Sequence, residues 1–336
     1  MNSRRRLALI TLILALTLSL LVPAGARAAD SVKFALSWVP TGRDAGFYAA
    51  LERGDYRAEG LDVTILRGNG SGDTVKRVAV GTEEFGFADA TNVVLGRAQG
   101  LKVRLVGMIH DKSLFGVYSL KSAGIGKPKD LEGKRIGSPA KSATRSVFPA
   151  FAGLNRVDLP KIEWVDMTNA AMVPSLLAGR VDAILIFANE FPSLRQAAAK
   201  QGREAGGLLF SDYGVDVYSN GLIASDETLQ KRPELVRRFV RATMKGVAWA
   251  AEHPEDAARM FVKHNPASDE QLAVEYWKIA VEHLVTPATR ASGLGVMSKD
   301  KVQATRDLIT KYEKVAVAVP VEELYTNDFL PRLMPK

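Results

Sequence analysis

An aromatic ring and a carboxylate stand on either side of a short turn near the start of the chain. Trp38 ends the apolar stretch VKFALSW, and Asp44 precedes the alanine-rich stretch AGFYAALERG. An indole at a strand end offers a flat face to a planar ligand, worth about 0.5–1.5 kcal/mol beyond burial. Asp44 can accept from that ligand or only cap the helix. Trp38 can equally be core, so both are candidate ligand contacts.

Ser71 and Asp89 are the next candidates. Ser71 lies in the glycine-rich turn GNGSGD, whose hydroxyl and backbone N–H groups can donate to a ligand, although the stretch can also be a plain tight turn. It lacks the ending of a phosphate-binding P-loop. Asp89 ends the following strand, and the segment VKRVAVGTEEFGFADAT aligns with VPSLLAGRVDAILIFAN, which places Asp89 opposite Phe187. This similarity indicates either two related lobes or chance.

A second polar cluster, SPAKSATRSVF, opens a helix further along the chain. The hydroxyls of Ser142 and Thr144 lie in the turn into that helix, where free N–H groups favour polar or anionic groups. Arg145 can bind a carboxylate or phosphate, or it can be a solvated arginine of the first turn. With Arg43 and Lys141, it is the cation set that an anionic ligand would need.

Two further groups complete the candidate ligand site. Asn189 and Glu190 follow the strand AILIF and supply a donor and acceptors at its end. Tyr213, Asp216 and Tyr218 lie near a point where the chain passes between lobes, so they can close over the ligand or simply pack there.

Alternating strands and helices must position these residues. Segments such as VKFALSW, LDVTILRG and EFGFADA read as strands separated by helices, which predicts an α/β fold with a mainly parallel sheet. Long amphipathic helices follow residue 218. We therefore predict a first lobe of residues 29–120 and 219–336 and a second lobe of residues 121–218, with a hinge crossed twice and a ligand cleft between them.

The first 28 residues have the features of an export signal. Arg4 to Arg6 precede an apolar run and the small-residue exit Ala26-Arg27-Ala28, which predicts cleavage near Ala28 and a periplasmic protein. The sequence is compatible with both the general secretory and the twin-arginine export routes. The chain has no cysteine, so lipid anchoring at the cleavage site and disulfides are excluded. The net charge of +8 falls to about +4 once the four signal arginines leave, which gives no reason to expect nucleic acid.

The residues resemble a family of periplasmic substrate-binding proteins. SWVPTGRDAGFYAALERGDYRAEGLDVTIL is similar to the opening of proteins that serve thiamine-pyrimidine, riboflavin, nitrate, sulfonate and taurine importers. GNGSGDTVKRVAVG, FGFADA, DLEGKRIGSP and GRVDAILIF then follow in the family's order. The resemblance covers nearly the whole mature chain. It implies the type II periplasmic-binding fold, a monomer, a small-molecule ligand and an ABC permease as partner.

The same family includes thiamine-pyrimidine synthases, which resemble this chain in fold but depend on a cysteine-rich motif and a histidine after the first strand. This chain has no cysteine, and Asp44 stands about where that histidine would be. No cofactor or metal is therefore expected, and we predict a binding protein rather than an enzyme. The preferred ligand is a planar heterocycle of the thiamine-precursor type, which Glu190 would hold through paired hydrogen bonds. The alternatives are an organic anion and, in another class, an exported enzyme or sensor.

Overall fold

The computed structural model describes residues 28–140, 142–313 and 319–335. The predicted signal peptide lies outside these ranges except for Ala28, and Lys141 lies outside them as well. Within these ranges no helix combines the length and the apolar character that crossing a bilayer requires.

The strands of the described residues form two sheets of five strands each. They are β1 (Asp30–Ala35), β2 (Leu61–Leu66), β3 (Phe85–Asp89), β4 (Val103–Met108), β5 (Phe115–Leu120), β6 (Arg135–Ser138), β7 (Glu163–Asp166), β8 (Ala183–Phe187), β9 (Ala205–Leu209) and β10 (Asn220–Ser225). The order is β2-β1-β3-β10-β4 in one sheet and β7-β6-β8-β5-β9 in the other. In each sheet only the fourth strand runs antiparallel to its neighbours. The two sheets therefore share one topology.

Helices cover both faces of the sheets, which is why every residue of the central strands β3 and β8 is buried. Both strands are apolar without polar alternation except for Asp89 at the end of β3, as expected for strands without a solvent face. The helices are α1 (Ala45–Glu52), α2 (Asp55–Ala58), α3 (Ser71–Ala79), α4 (Ala90–Ala98), α5 (Ala143–Leu154), α6 (Asn169–Leu177), α7 (Phe191–Ala199), α8 (Asp226–Lys231), α9 (Pro233–Glu252), α10 (Pro254–His264), α11 (Glu270–Leu284), α12 (Pro287–Ser292) and α13 (Lys299–Tyr312).

The internal sequence repeat corresponds to the same unit in each sheet. In the first sheet α3 leads into β3, and in the second α6 leads into β8. Gly81 and Gly179, which the alignment superimposes, both end their helices in left-handed backbone with φ of 75° and 67°. Glycine adopts this conformation without the steric cost that a side chain adds. The repeat thus reflects two lobes with equivalent central strands.

The chain passes between the two sheets twice, and the two crossings are hydrogen-bonded to each other. The amides of Ile109 and His110 donate to the carbonyl of Asn220, and the amide of Ser219 donates to the carbonyl of His110. The sequence placed the first crossing near residue 120. The structure instead pairs β5 with β8 and β9, so the chain has already changed sheet before Phe115.

The C-terminal part of the chain packs on the first sheet after β10 has rejoined it. Helix α9 approaches α1 so closely that a Cβ on Gly246 would lie 2.3 Å from the Cβ of Ala50. Helix α11 also reaches the second lobe, where Arg195 of α7 donates to Glu275 at 2.7 Å. One buried apolar cluster includes Val93 of α4 and Phe148 of α5. The two lobes are therefore closed against each other.

Candidate functional site

A cavity lies between the lobes, bordered by the turns that follow the strands. The first lobe supplies the turn after β1 and the start of α3, and the second lobe supplies the turn into α5 and the end of β8. The empty space of this cavity, including the part open to solvent at its mouth, is about 440 Å³. The lining residues are Ser37, Trp38, Arg43, Gly70, Ser71, Pro139, Ser142, Ala143, Thr144, Asn169, Met172, Leu185, Ile186, Phe187 and Glu190.

Backbone contacts hold the turn that carries Trp38. The strand β1 ends at Ala35, so Trp38 belongs to the turn and not to the strand. Its carbonyl accepts from the amide of Gly68 at 3.0 Å. A side chain on Gly68 would place a Cβ only 2.0 Å from the carbonyl oxygen of Leu36, so glycine is required there. The indole Nε1 is buried and has no hydrogen-bond partner among the described residues. Trp38 therefore brings to the cavity wall a ring and a buried N–H that has no partner among the described residues.

Arg43 places a positive charge in the cavity wall although only 5% of the residue is exposed. Its Nη2 donates to the Ser37 hydroxyl at 2.8 Å, and its Nε lies 3.6 Å from Asp44 Oδ1. The guanidinium also lies over the Phe187 ring of the other lobe, 5.0 Å from its centroid. This cation–π contact joins the lobes at the ligand site. Arg43 is thus partly neutralised and fixed before any ligand binds.

Glu190 supplies the carboxylate of the second lobe. Its Oε2 accepts from the amide of Phe187 at 3.2 Å, which fixes the side chain at the end of β8. Burial raises the pKa of Glu190, and the charge of Arg43 opposes that rise. Beside it, Asn189 is fully buried, and neither atom of its side-chain amide has a partner among the described residues. Asn189 does not line the cavity but lies behind the residues that do.

The N-terminus of α5 supplies the donors that sequence reasoning expected there. Ser142 caps the helix, its hydroxyl accepting from the amide of Arg145 at 3.2 Å. The first N–H groups of a helix have no partner within it. Those of Ala143 and Thr144 are therefore available at the cavity that both residues line. Of the predicted contacts, the structure brings together Trp38, Ser71, Ser142, Thr144 and Glu190.

Two of the predicted carboxylates lie behind the cavity wall. Asp44 accepts from the amide of Thr41 at 2.9 Å and is buried, so it supports Arg43 and does not line the cavity. Asp89 caps α4, with Oδ1 accepting from the amide and hydroxyl of Thr91 and Oδ2 accepting from the Ser219 hydroxyl at 2.9 Å. Because Ser219 belongs to the second crossing, Asp89 connects the sheet to the hinge.

Replacing Asp89 by asparagine should flatten the pH dependence of stability. Burial raises the pKa of Asp89 to about 6, so ionisation costs the folded state more than the unfolded chain. The stability that protonated Asp89 provides is therefore lost as pH rises from about 4 to about 6, up to about 3 kcal/mol. Urea unfolding at pH 4 and 7.5 should show Asp89→Asn gaining on wild type by that order. Asp62→Asn on the exposed side of β2 is the control, and equal pH profiles for Asp89→Asn and wild type would contradict the assignment.

Four other predicted contacts lie away from the cavity lining. Arg145 stacks on the Trp164 ring, 3.5 Å from its centroid, and pairs with Asp166, so helix α5 turns it away from the cavity. The second crossing packs against α5 and α13, which accounts for the other three. Tyr213 contacts Phe151, Asp216 pairs with Lys301, and the Tyr218 hydroxyl accepts from the amide of Ser298.

Several lining residues were not among the predicted contacts. Ser37 and Phe187 had a signal in the sequence, because each stands beside a predicted contact or opposite one in the repeat alignment. Asn169 and Met172 of α6 had none, since only the packing of the second lobe brings that helix to the cavity. Arg43 was named only as a cation for an anionic ligand.

The described lining can bind a polar ring, because it combines the Trp38 ring, the Arg43 guanidinium and the Glu190 carboxylate. Within the described residues, no cluster of three histidine or acidic side chains could hold a metal ion. The histidines do not line the cavity. His110, the one nearest in sequence to the hinge, is fully buried, which lowers its pKa well below the usual range.

Comparison with known proteins identifies the family. The family model described as NMT1/THI5 like matches residues 43–257. Since this match covers more than half of the chain, the protein belongs to that family.

Named relatives cover most of the chain at low identity. The riboflavin-binding protein RibY of Chloroflexus aurantiacus is 26% identical over 90% of this chain and 86% of its own length. The formylaminopyrimidine-binding protein of Halalkalibacterium halodurans is 24% identical over 87% and 89%. A 4-amino-5-hydroxymethyl-2-methylpyrimidine phosphate synthase of Saccharomyces cerevisiae is 24% identical over 90% and 88%. Binding proteins and synthases are thus both among its relatives.

A solved structure confirms the fold class. The alkanesulfonate-binding protein SsuA of Xanthomonas axonopodis pv. citri superposes with a TM-score of 0.68 at 13% identity, covering 89% of this chain and 99% of that one. The predicted type II periplasmic-binding fold, two α/β lobes with a cleft between them, is therefore confirmed.

Proposed function

We propose that this member of the NMT1/THI5 like family is a periplasmic substrate-binding protein of an ABC importer. It captures a small planar nitrogen heterocycle of the thiamine-pyrimidine-precursor type by closing its lobes. The observation that carries the proposal is the meeting of three groups in one interlobe cavity: the Trp38 ring with its unused N–H, the Arg43 guanidinium and the Glu190 carboxylate. A heterocycle with ring acceptors and amino donors matches all three. The names of the riboflavin- and formylaminopyrimidine-binding relatives support this class.

The charges around the cavity favour a neutral ligand over an anion. Arg43 already interacts with Ser37 and Asp44, and the Glu190 carboxylate shares the lining with it. Arg145 interacts with Trp164 and Asp166 instead. Among the described lining residues, an anion bound here would therefore meet one engaged cation, Arg43, and one carboxylate, Glu190.

An organic anion such as a sulfonate is the second candidate, because of one specific feature. The N-terminus of α5 directs the free amides of Ala143 and Thr144 at the cavity, and helix N-termini stabilise negative charge. The approach of Arg43 from the first lobe adds to this potential.

Binding without chemical conversion fits the groups at the site better than catalysis. The chain has no cysteine, and within the described residues there is no cluster of metal-binding side chains. The two crossings, paired at His110 and Asn220, give the lobes a common hinge. A ligand that contacts both lobes would stabilise the closed form, which is the form a permease would recognise. The signal sequence predicted for the first 28 residues supports export to the periplasm.

Calorimetry on the purified mature chain tests the proposed function. The panel is formylaminopyrimidine, 4-amino-5-hydroxymethyl-2-methylpyrimidine, riboflavin and an alkanesulfonate. We expect one-to-one binding of a heterocycle and its recovery unchanged by mass spectrometry after long incubation. Tight binding of the sulfonate alone would favour the second candidate. Multiple turnover of any panel member would overturn the binding-protein proposal.

A further inference from the structure

Helix α13 lies against both crossings of the hinge. The amide of Tyr218, in the second crossing, donates to the Thr305 hydroxyl at 3.1 Å. The ammonium of Lys301 lies 3.1 Å from Asp216 Oδ1 in the second crossing and 3.9 Å from Asp111 Oδ2 in the first. The first two turns of α13 are therefore fixed to the hinge by side chains that contact both passages of the chain.

The C-terminal tail that follows α13 anchors the helix to the first lobe. The amide of Leu105 in β4 donates to the carbonyl of Leu324, and the amide of Thr326 donates to the carbonyl of Leu105, each at 2.9 Å. The side chain of Asn327 then accepts from the amide of Met297, just before α13, at 3.0 Å. Because both neighbours of the tail are held in this way, α13 should move with the first lobe.

The far end of α13 reaches the second lobe. The Tyr312 ring lies so close to Gly153 of α5 that a Cβ on Gly153 would stand 2.1 Å from Tyr312 Cε1. Only glycine leaves room for the ring in this position. Glycine inside a helix is less favourable than alanine, so α5 gives up helix stability at the point where the ring is seated. Ile309 of α13 and Phe151 of α5 extend the contact within one buried apolar cluster.

The distance of Tyr312 from the hinge makes this contact sensitive to lobe rotation. Eleven residues separate Lys301 from Tyr312, which corresponds to about 16 Å along a helix. When one lobe rotates about the hinge, each contact between the lobes shifts in proportion to its distance from the axis. The Tyr312 ring should therefore fit Gly153 in one orientation of the lobes, the closed one, whereas the contacts of Lys301 change little.

We propose that α13 is a strap of the first lobe that favours the closed form by seating Tyr312 on Gly153 of the second lobe. Part of the ligand-free protein is then already closed. Since the apparent affinity of a ligand scales with the fraction of protein in the form that binds it, the strap strengthens the binding of every ligand by the same factor. This inference rests on the part of the proposed function in which a ligand closes the lobes.

Spin-label distance measurements test the strap without any ligand. Because the chain has no cysteine, labels on Gln196→Cys in α7 and Gln271→Cys in α11, both exposed positions, report only the separation of the lobes. We expect the labelled protein to show a short-distance component. Tyr312→Ala and Gly153→Ala should each reduce the fraction of that component by about twofold or more. Tyr312→Phe, which keeps the ring, should leave it unchanged.

Calorimetry with 4-amino-5-hydroxymethyl-2-methylpyrimidine and with hexanesulfonate measures the effect on affinity. Tyr312→Ala and Gly153→Ala should weaken the binding of each probe that binds by one common factor of about 2- to 10-fold, the range for one lost ring contact. The double variant should bind no more weakly than either single variant, because both changes remove the same contact. Alanine is the better helix former, so Gly153→Ala should not lower the urea midpoint, which separates loss of closure from loss of stability.

The outcomes distinguish this inference from the proposed function. If no ligand of the panel binds, the proposed function fails, and the distance measurement still tests the strap. If a ligand binds but the short-distance fraction is the same in both variants and in the parent protein, the proposed function stands and the strap is wrong. A parent protein without a short-distance component, or variants in which that component grows, would contradict the strap as well.

Discussion

Replacing Trp38 by alanine should remove most of the stability that the protein gains from its ligand. A ligand at about 100 times its dissociation constant stabilises the protein it binds by about 2.7 kcal/mol. Trp38 contributes a ring face and a buried, unpartnered N–H to the cavity. Loss of both should reduce the ligand-induced shift in unfolding free energy to under about 1 kcal/mol at the same ligand concentration. Urea unfolding with and without the heterocycle measures this shift.

Trp38→Phe is the matched control, because it keeps an aromatic face and removes the N–H. It should retain an intermediate shift, between those of wild type and Trp38→Ala. Both variants must unfold cooperatively without ligand, since Trp38 belongs to a turn that Gly68 and Gly70 fix through the backbone. A full shift in Trp38→Ala would show that the ring is scaffold and that the ligand binds elsewhere.

The sequence could predict that several site residues lie close together, because their closeness follows from the topology of the sheets. Trp38, Ser71, Ser142 and Glu190 each come just after a strand or at the start of the next helix, and in open α/β sheets these ends meet at one edge. The repeat indicated that two such edges exist. That they face each other across a cleft was predicted from the two crossings of the chain and its long C-terminal helices, and the family resemblance implied the same arrangement.

The direction of each side chain could not be predicted in the same way. Thr144 and Arg145 are adjacent in the first turn of α5, yet only Thr144 lines the cavity, while Arg145 stacks on Trp164. Successive helical residues point about 100° apart, and the sequence does not say which direction faces the other lobe. That depends on long-range packing of the lobe.

The second crossing illustrates the same limit. From the sequence alone, polar and aromatic residues near a hinge are equally consistent with closing over a ligand and with packing between the lobes. Tyr218 is 2% exposed and is held by Ser298 and Thr305. Thr305 belongs to helix α13 and Ser298 caps its start, and the position of that helix against this segment depends on residues far along the chain. Likewise β5 looked like part of the first lobe, because only its pairing with β8 and β9 assigns it to the second.

Glu190→Gln should change affinity in opposite directions for the two ligand classes. A neutral heterocycle that donates to Glu190 would lose a hydrogen bond to a charged acceptor, which weakens binding roughly 10- to 150-fold. An alkanesulfonate would lose a repulsive carboxylate from the lining, so its affinity should rise. Calorimetry with one ligand of each class on wild type and variant measures both effects.

Arg145→Ala is the control for this experiment, because it removes a charge of the same lobe whose side chain contacts Trp164 and Asp166 and does not line the cavity. It should change neither affinity by more than about twofold, the scale of an exposed ion pair. Because a merely destabilised variant would weaken both ligands together, opposite signs cannot arise from partial unfolding. Weakening of both classes by Glu190→Gln would instead assign the carboxylate to holding the end of β8 through the Phe187 amide. In that case only Arg43 and the backbone amides at the start of α5 would bind the polar edge of the ligand.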